Sequence, residues 1–517
     1  MSWQAAETAR ELLVGERGVV RRDWGGQLPI ALVYPNSYGV GMSSLAIHSL
    51  YRFFNAQPGV VCERAFAWLG RAPRNEGPPL TLESQRPLAE AALVAISVSF
   101  EMDYFHVVDL LRRANIPVRA AERDDRHPVV LVGGPAVSAN PAPLALMADA
   151  MLIGEAEPAL AALTAALRDA AADGRRAILE ALQGICGLYV PLLHDGSPVQ
   201  RLCLDDLDAW PTASSVYAPQ AEFGDMHLVE IARGCMRGCR FCLAGYLYRP
   251  MRQRSVAHIL DRAREGRTWH RKVGLVAAAV SDYDEIDALL DGLRALGLGV
   301  SASSLRVKPL SPALLQALQD SGARSVTLAP EAGSDRLRRA IAKGVTRDDL
   351  LQAAERLSGR FASLKLYYMV GLPGETDADV AEIVSLSAEA RRLFGREVVV
   401  NVTPFVPKAH TPFERQPLMP LPVLEARLRD LRSRCRAAGL QFRSEAAWQA
   451  QVQAVLARGD AAVGEVLLAQ TRPNPRRLLR DMAMHEVDAE RYLQAQPAQQ
   501  PLPWDIISLD ASCGAVS

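Results

Sequence analysis

Short apolar runs alternate with helical periodicities through the first 190 residues of the chain. Four runs, at residues 28–34, 93–99, 129–132 and 150–153, have the length and the β-branched content of buried parallel strands. The segments between them repeat apolar residues every three or four positions, as amphipathic helices do. This alternation predicts an open, doubly wound, Rossmann-like α/β domain. Ligands bind to such sheets beyond the carboxyl ends of their strands.

A second series of strand–helix units begins at residue 227. Six further strands are predicted, each followed by a helical segment after a short link, at residues 227–232, 273–280, 300–307, 325–329, 364–370 and 398–403. Six consecutive βα units predict a partial (β/α)6 barrel. Functional residues of such barrels lie at the C-terminal ends of the strands.

The pattern divides the chain into five segments. We predict a Rossmann-like domain over residues 1–196, a linker over 197–226 and the partial barrel over 227–415. Charged amphipathic periodicity over 416–495 predicts a mainly helical C-terminal region, in which residues 440–443 form a short strand. Residues 496–517 are rich in Gln, Pro and Ala, which predicts a disordered tail.

Composition narrows the class of protein without defining its chemistry. The 517 residues include 58 basic and 58 acidic side chains, so no net charge draws the chain to nucleic acid or to membranes. No apolar run reaches the roughly 20 residues that span a bilayer, and the first residues do not resemble a signal peptide. Eight cysteines in a chain of this length indicate a reducing compartment, and we expect a cytoplasmic protein.

Three cysteines stand together after the first strand of the predicted barrel. Cys235, Cys239 and Cys242 follow the spacing C-x3-C-x2-C, with the aromatic Phe241 just before the last of them. Iron–sulfur clusters are usually held by four cysteines. Three thiolates would leave one iron of a [4Fe–4S] cluster open to a substrate or cofactor. An alternative is a zinc site completed by His227 or His258.

Several motifs together resemble those of the radical S-adenosylmethionine (radical SAM) superfamily. They are the cysteine triad with Phe241, the Gly-Leu-Pro-Gly-Glu-Thr turn at 371–376 and the segment 401–413 after the sixth strand. The resemblance covers about residues 225–415. It implies an enzyme in which a [4Fe–4S] cluster on the three cysteines reductively cleaves S-adenosylmethionine to a 5′-deoxyadenosyl radical. It also implies an external one-electron donor, a flavodoxin or ferredoxin, because the sequence has no second cysteine cluster.

The same resemblance implies residues that bind the cofactor. Ser281 follows the second strand, and Ser304 and Arg306 lie within the third, where Arg306 would pair either with the SAM carboxylate or with an acidic neighbour. Glu331, at the end of the fourth strand, would hydrogen-bond the ribose or the amine. The adenine would contact Val370, Gly371 and Phe405, and Phe241, in the cysteine loop, is a further cofactor-binding residue.

The N-terminal domain resembles the cobalamin-binding-type domain that precedes many radical SAM barrels. The similar stretches are residues 132–135, the loop at Pro141 and residues 149–157. The D-x-H-x-x-G motif, whose histidine binds cobalt in many such domains, is absent; His48 and His106 lie near strand ends outside that context. Cobalamin would supply methyl transfer to unactivated carbon, and a domain that keeps the fold without cobalamin is the alternative.

Two rival functions follow from the same features. A methylthiotransferase would need three N-terminal cysteines for a second cluster. Apart from Cys203, only Cys62 and Cys186 precede the core, and this count argues against that function. A non-catalytic zinc- or corrinoid-binding module is the rival from another class. The substrate is not indicated by any motif.

Overall fold

A computed structural model describes residues 3–70 and 77–509 of the chain. The chain divides into two compact units. The first comprises residues 1–225, 455–489 and 501–517, and the second comprises residues 226–454 and 490–500.

Seventeen strands and nineteen helices make up the described regular structure. The strands are β1 (Leu28–Ser37), β2 (Val60–Trp68), β3 (Leu93–Ser97), β4 (Val129–Gly133), β5 (Ala150–Leu152), β6 (Leu188–Tyr189), β7 (Val199–Gln200), β8 (His227–Glu230), β9 (Ala232–Arg233), β10 (Arg252–Gln253), β11 (Lys272–Val276), β12 (Gly299–Ala302), β13 (Ser325–Glu331), β14 (Ser363–Val370), β15 (Glu397–Pro404), β16 (Gln441–Ser444) and β17 (Ile507–Ser508). The helices are α1 (Trp3–Gly15), α2 (Tyr38–Gly41), α3 (Leu45–Ala56), α4 (Tyr104–Arg113), α5 (Pro135–Ala139), α6 (Leu160–Asp169), α7 (Arg175–Gln183), α8 (Ala244–Leu247), α9 (Val256–Gly266), α10 (Ile286–Ala295), α11 (Pro312–Asp320), α12 (Asp335–Ala340), α13 (Arg347–Leu357), α14 (Asp377–Phe394), α15 (Leu421–Ala437), α16 (Ala447–Arg458), α17 (Ala461–Ala469), α18 (Leu478–Met484) and α19 (Glu490–Leu493).

The first unit is built on a six-stranded sheet in the order β2-β1-β3-β4-β5-β6. All neighbouring strands are parallel except β5 and β6, which are antiparallel. The order reverses between β1 and β3, so the crevice at which such sheets bind ligands opens beyond the carboxyl ends of these two strands. The predicted doubly wound α/β domain is confirmed.

Strand β2 was not predicted, because charged residues interrupt its apolar pattern. All nine of its residues are nevertheless buried. Arg64 donates at 2.7 Å to Glu16 on one side and at 2.7 Å to Glu83 on the other. A buried guanidinium needs such compensation, because an unpaired charge in the interior costs several kcal/mol, roughly 3–5 when one partner is removed.

The second unit contains the predicted βα series. Strands β8, β11 and β12 form one parallel sheet, and β13 to β16 form another. A single parallel bridge, from Leu305 to Leu328, joins the two. The partial barrel is therefore confirmed, and β16, which we placed in the helical C-terminal region, adds a strand beside β15.

Hydroxyl side chains begin several of the barrel helices, as the sequence predicts. Ser255 accepts a hydrogen bond from the His258 N–H, and Ser311 accepts one from the Leu314 N–H. Thr376 forms a capping box with Asp379 at the start of α14. These caps satisfy backbone donors that a helix leaves unpaired at its N-terminus.

The prediction of a disordered tail over residues 496–517 is wrong for residues 496–509. Trp504 is 1% exposed, and β17 pairs in parallel with β7 in the first unit. The polar composition of the tail suggested that the loss of conformational entropy would keep it from ordering. Burial of Trp504 and Ile507 offsets that cost. Residues 510–517 lie outside the described residues, and the other predicted domain boundaries remain predictions.

Candidate active site

The cysteine loop leaves the carboxyl end of the first barrel strand. A two-residue antiparallel ladder between β9 and β10 closes its base. Gly234 has φ +82°, and a side-chain carbon there would lie 2.3 Å from the Tyr248 carbonyl oxygen, so only glycine fits this position. The loop is thereby fixed at both ends, and all three thiols are half-buried.

The three thiols act on one another electrostatically. Burial raises the pKa of the Cys239 thiol, against an opposing effect of Lys343, and the thiolate of Cys242 raises it further. Burial also raises the pKa of the Cys242 thiol, with a contribution from Cys235. Three thiols that share one field, with an ammonium group beside them, are a donor set that fits a cluster of net negative charge. Among the described residues, no three His, Cys, Asp or Glu side chains are grouped as ligands of a single metal ion would be.

Glu331 and Lys343 form an ion pair beside the thiols. The Lys343 ammonium lies 2.9 Å from the Glu331 carboxylate, and both side chains are about 85% buried, at 14% and 16% exposure. Glu331 has φ +68°, a strained conformation for a residue with a side chain. A shift in register between β13 and β14 accompanies it. Such strain is often found at functional sites, and here it turns a carboxylate toward the cysteine loop.

Asp282 connects the cysteine loop to the third-strand region. Its carboxylate accepts two hydrogen bonds from Arg237, at 2.7 and 3.0 Å, and one from Arg306 at 3.3 Å. The Arg306 backbone N–H donates to Ser281 Oγ at 3.3 Å. Of the two partners we expected for Arg306, the structure thus contains the acidic neighbour. Ser304 is half-buried in the loop just beyond β12.

Two predicted aromatic residues meet in one apolar cluster. Phe241, from the cysteine loop, packs with Phe405, which follows β15 and is 2% exposed. The remaining members of this cluster come from the ends of β13 and β14, from α12 and from the loop after β15: Ala332, Leu337, Ala340, Ile341, Met369, Leu372 and Phe413. The cluster joins the cysteine loop to the expected adenine side of the site.

The predicted turn at 371–376 is held by its own carboxylate. The Phe405 N–H donates to the Val370 carbonyl at 2.8 Å, which fixes the end of β14 against β15. Gly371, at φ +84°, and Leu372 donate their N–H groups to Glu375, and Arg427 pairs with the same carboxylate. This preorganises the backbone on which we expect the adenine to lie.

The arginines that follow the cysteines differ in their exposure to solvent. Arg254 is 1% exposed and donates to Glu230 at 2.6 Å, so its role is structural. Arg237, Arg240 and Arg249 are exposed. The side chain of Arg249 stacks over Tyr246, with 4.1 Å between the guanidinium carbon and the ring centre.

The crevice of the N-terminal sheet contains a buried acidic group. Asp103 accepts a hydrogen bond from Asn36 at 2.7 Å, and burial raises the pKa of its carboxyl to about 7. Phe100, in the loop after β3, is 45% exposed. Asn36 is the second-last residue of β1, and Phe100 and Asp103 follow β3, so all three lie at the carboxyl-end edge of these two strands.

His48 is not available as a cobalt ligand. One ring nitrogen lies 3.0 Å from the Met42 carbonyl, and the other accepts from the backbone N–H groups of Ser215 and Val216 at 3.1 and 3.3 Å. Burial lowers the pKa of this imidazole to about 4. His106 packs edge-on against Trp68. A corrinoid bound in this crevice would therefore have no lower ligand from His48.

His227 is poorly placed to complete a zinc site with the three cysteines. This residue is the first of β8, about 10 Å before the strand ends at a rise of 3.3 Å per residue. The cysteine loop begins beyond the other end of that strand. His227 therefore lies far from the thiols that it would have to join.

Lys343, Asp282 and Glu375 were not predicted as site residues. Lys343 follows a helix that the pattern treats as an ordinary barrel helix, and a single charged residue carries no spacing signal. Asp282 lies in the segment 279–283 that the sequence did indicate, although only Ser281 was chosen there. Ion pairs between distant loops depend on how the strands align, which no local pattern reports.

Comparisons with known proteins place the chain in a family. The profile described as "Radical SAM proteins, N-terminal" matches residues 46–191, and that of the "Radical SAM superfamily" matches residues 229–387. An uncharacterized protein of Methanocaldococcus jannaschii is 30% identical over 392 residues, which cover 74% of this chain and 79% of that protein. The chain belongs to the radical SAM superfamily, whose enzymes use a [4Fe–4S] cluster and S-adenosylmethionine.

Two more distant similarities were also found. A tRNA-2-methylthio-N(6)-dimethylallyladenosine synthase of Syntrophotalea carbinolica is 27% identical over 195 residues, so the chain spans less than half, 42%, of that relative. The radical SAM methyltransferase TsrM of Kitasatospora setae, solved with tryptophan and a SAM analogue, has a similar fold, with a TM-score of 0.50, 15% identity and coverage of 75% of each chain. None of the described helices combines the length and apolar character that crossing a bilayer requires.

Proposed function

We propose that this radical SAM enzyme holds its [4Fe–4S] cluster on Cys235, Cys239 and Cys242 and uses it for cobalamin-dependent methyl transfer to unactivated carbon. When bound, the cluster supplies the electron that cleaves S-adenosylmethionine into methionine and a 5′-deoxyadenosyl radical. Side chains alone do not form such radicals, so the cofactors must supply this chemistry. The observation that carries the proposal is the ion pair of Glu331 and Lys343 beside three mutually coupled thiols.

Different residues around the cysteine loop would contact different parts of S-adenosylmethionine. Lys343 offsets negative charge at the thiolates and holds the Glu331 carboxylate for the ribose or the amino group. Val370 and Gly371 offer a fixed backbone edge to the adenine, and Phe241 and Phe405 close the apolar side. Ser281, Ser304 and Arg306 lie on the side of the SAM carboxylate, where Arg306 would have to share its charge with Asp282.

The first unit would hold the corrinoid. The β1/β3 crevice, the exposed Phe100 ring and the likeness of fold to a radical SAM methyltransferase support this assignment. Since His48 is fully engaged by backbone groups, we expect the cobalt to lack a ligand from that residue. A cytoplasmic location and a flavodoxin or ferredoxin as electron donor complete the proposal.

Anaerobic reconstitution tests the metal assignment. Purified protein supplied with iron and sulfide should turn brown and bind four irons, and Cys239→Ala should lose that colour. A colourless protein that binds one zinc would favour the non-catalytic module. Retention of a red corrinoid after incubation with cobalamin and gel filtration tests the methyl-transfer half separately, and loss of all corrinoid would refute that half alone.

Methylthio transfer remains a second candidate because of the synthase similarity over about a third of the chain. Cys62 is poorly suited to bind the second cluster that methylthio transfer would need. This residue is 0% exposed within β2, and burial raises the pKa of its thiol well above the usual value. A second set of four irons on reconstitution would reverse this preference.

A further inference from the structure

The outer face of the cysteine loop exposes an apolar side chain among guanidinium groups. Met236, which directly follows Cys235, is 78% exposed. Arg240, which directly follows Cys239, is also exposed. Arg249 lies against the same loop: a side-chain carbon at Gly238 would be 3.6 Å from its guanidinium. We call the surface formed by Met236, Arg240 and Arg249 the loop face.

Other contacts hold the loop face rigid. Arg249 stacks on the Tyr246 ring, and the Tyr246 hydroxyl donates to the Gly238 carbonyl at 3.1 Å. The Arg240 backbone N–H donates to the Ile341 carbonyl at 3.1 Å. Arg237 is clamped by Asp282, so its charge is largely compensated. A rigid surface loses little conformational entropy when a partner binds.

We propose that the loop face is the docking surface for an acidic one-electron donor protein. This inference rests on the proposed function, because the donor would reduce a cluster held by the neighbouring cysteines. One electron passes from the reduced donor to the oxidised cluster; the donor is oxidised by one electron, and no covalent bond forms or breaks.

Charge and position both favour this occupant. The chain has no net charge overall, so a cationic patch here is a local feature rather than part of a basic surface. Methionine and arginine are enriched at protein interfaces, where the apolar group fills the centre and the charges steer approach. Electron transfer falls steeply with distance, and Met236 and Arg240 are each one residue from a proposed cluster ligand. An acidic redox protein on this face would thus contact residues that are adjacent in the chain to the proposed cluster ligands.

Two reductants separate docking from catalysis. The rate of 5′-deoxyadenosine formation is measured with reduced flavodoxin at increasing concentrations, and again with dithionite, which needs no protein surface. Arg240→Glu and Met236→Glu should lower kcat/KM for flavodoxin by about tenfold, the lower range of electrostatic steering. The dithionite-driven rate should stay unchanged, and the dependence on salt should weaken in Arg240→Glu. Arg240→Gln should give a smaller loss in the same direction.

The matched control is Arg294→Glu. Arg294 is in the last turn of α10, is 59% exposed and pairs with its neighbour Asp291. Because barrel helices run opposite to the strands, it lies at the far end of the barrel from the cysteine loop. Flavodoxin kinetics unchanged in both loop-face variants would overturn the docking surface, as would equal losses with both reductants. A wild-type protein that cleaves no S-adenosylmethionine with dithionite would instead refute the proposed function.

Discussion

At the scale of single residues, the informative observation is that Lys343 interacts both with Glu331 and with the cysteine loop. Its ammonium pairs with Glu331 and lies within electrostatic reach of Cys239 and Cys242. Within the part of the chain that the structure describes, this lysine is the cation that pairs with the carboxylate of Glu331, whose backbone is strained. A carboxylate that is largely buried and loses its cation is costly, so the pair is expected to act as a unit.

Lys343→Met should lower the rate of S-adenosylmethionine cleavage at least about tenfold, the equivalent of one charge-assisted hydrogen bond of roughly 1.5–3 kcal/mol. Lys343→Arg should recover part of that loss, and the cluster potential should become more negative in the Met variant because a nearby positive charge is gone. Rate and potential are measured on reconstituted protein. Lys308→Met, which removes a 68% exposed lysine paired with Asp349, is the control. Equal behaviour of the two Met variants would contradict a role for Lys343.

His48 makes a prediction about stability rather than catalysis. Its pKa is about 4 in the folded chain, whereas an unfolded histidine titrates near 6.5. Between these values the unfolded state binds the extra proton, so folding stability falls as pH drops from 6.5 to 4, by about 3 kcal/mol at one unit per 1.36 kcal/mol. His48→Asn should flatten this part of the pH dependence of Tm, whereas the exposed His485→Asn should not. A wild-type slope that survives in His48→Asn would show that other groups cause it.

At the scale of elements, the link through Asp282 matters most. It joins Arg237, inside the cysteine loop, to Arg306 beyond β12, and so ties two strand ends together. The sequence predicted the strands and both loops because these depend on local apolar runs and on turn residues. It did not predict the link, because an ion pair between loops depends on the register of β11 against β12. Strand β2 was not predicted for a similar reason. Its Glu63 and Arg64 are buried with partners that are distant in the sequence, and no local pattern indicates such partners.

Asp282→Asn should loosen the cysteine loop without changing its ligands. We expect fewer irons per chain after reconstitution and faster loss of iron to a chelator, because two cationic partners lose their carboxylate at once. Iron content and chelation rate provide the measurement. Asp291→Asn, which breaks an exposed pair on α10, should leave both unchanged. Full iron retention in Asp282→Asn would mean that the glycine-fixed ends of the loop suffice to hold it.

At the scale of the whole molecule, the two α/β units have different proposed roles: the first would hold the corrinoid, and the second the cluster and S-adenosylmethionine. The cysteine triad and the turn at 371–376 were sufficient to predict the superfamily, since both are contiguous in sequence. Phe241 packs against the cluster that contains Phe405, more than 160 residues away, and this contact could not be read from the sequence. The helical periodicity of the C-terminal region, by contrast, did not reveal that β16 extends the barrel or that β17 pairs with β7, because short strands of polar residues carry little pattern of their own.

The central claim is that these three cysteines hold the cluster that cleaves S-adenosylmethionine. The most direct test is the formation of 5′-deoxyadenosine by anaerobically reconstituted protein with dithionite and S-adenosylmethionine, measured by mass spectrometry. We predict stoichiometric or greater formation by the wild type and none by Cys235→Ala, Cys239→Ala or Cys242→Ala, with Cys435→Ala behaving as the wild type. A reconstituted wild type that makes no 5′-deoxyadenosine, or a triad variant that makes as much as the wild type, would contradict the account.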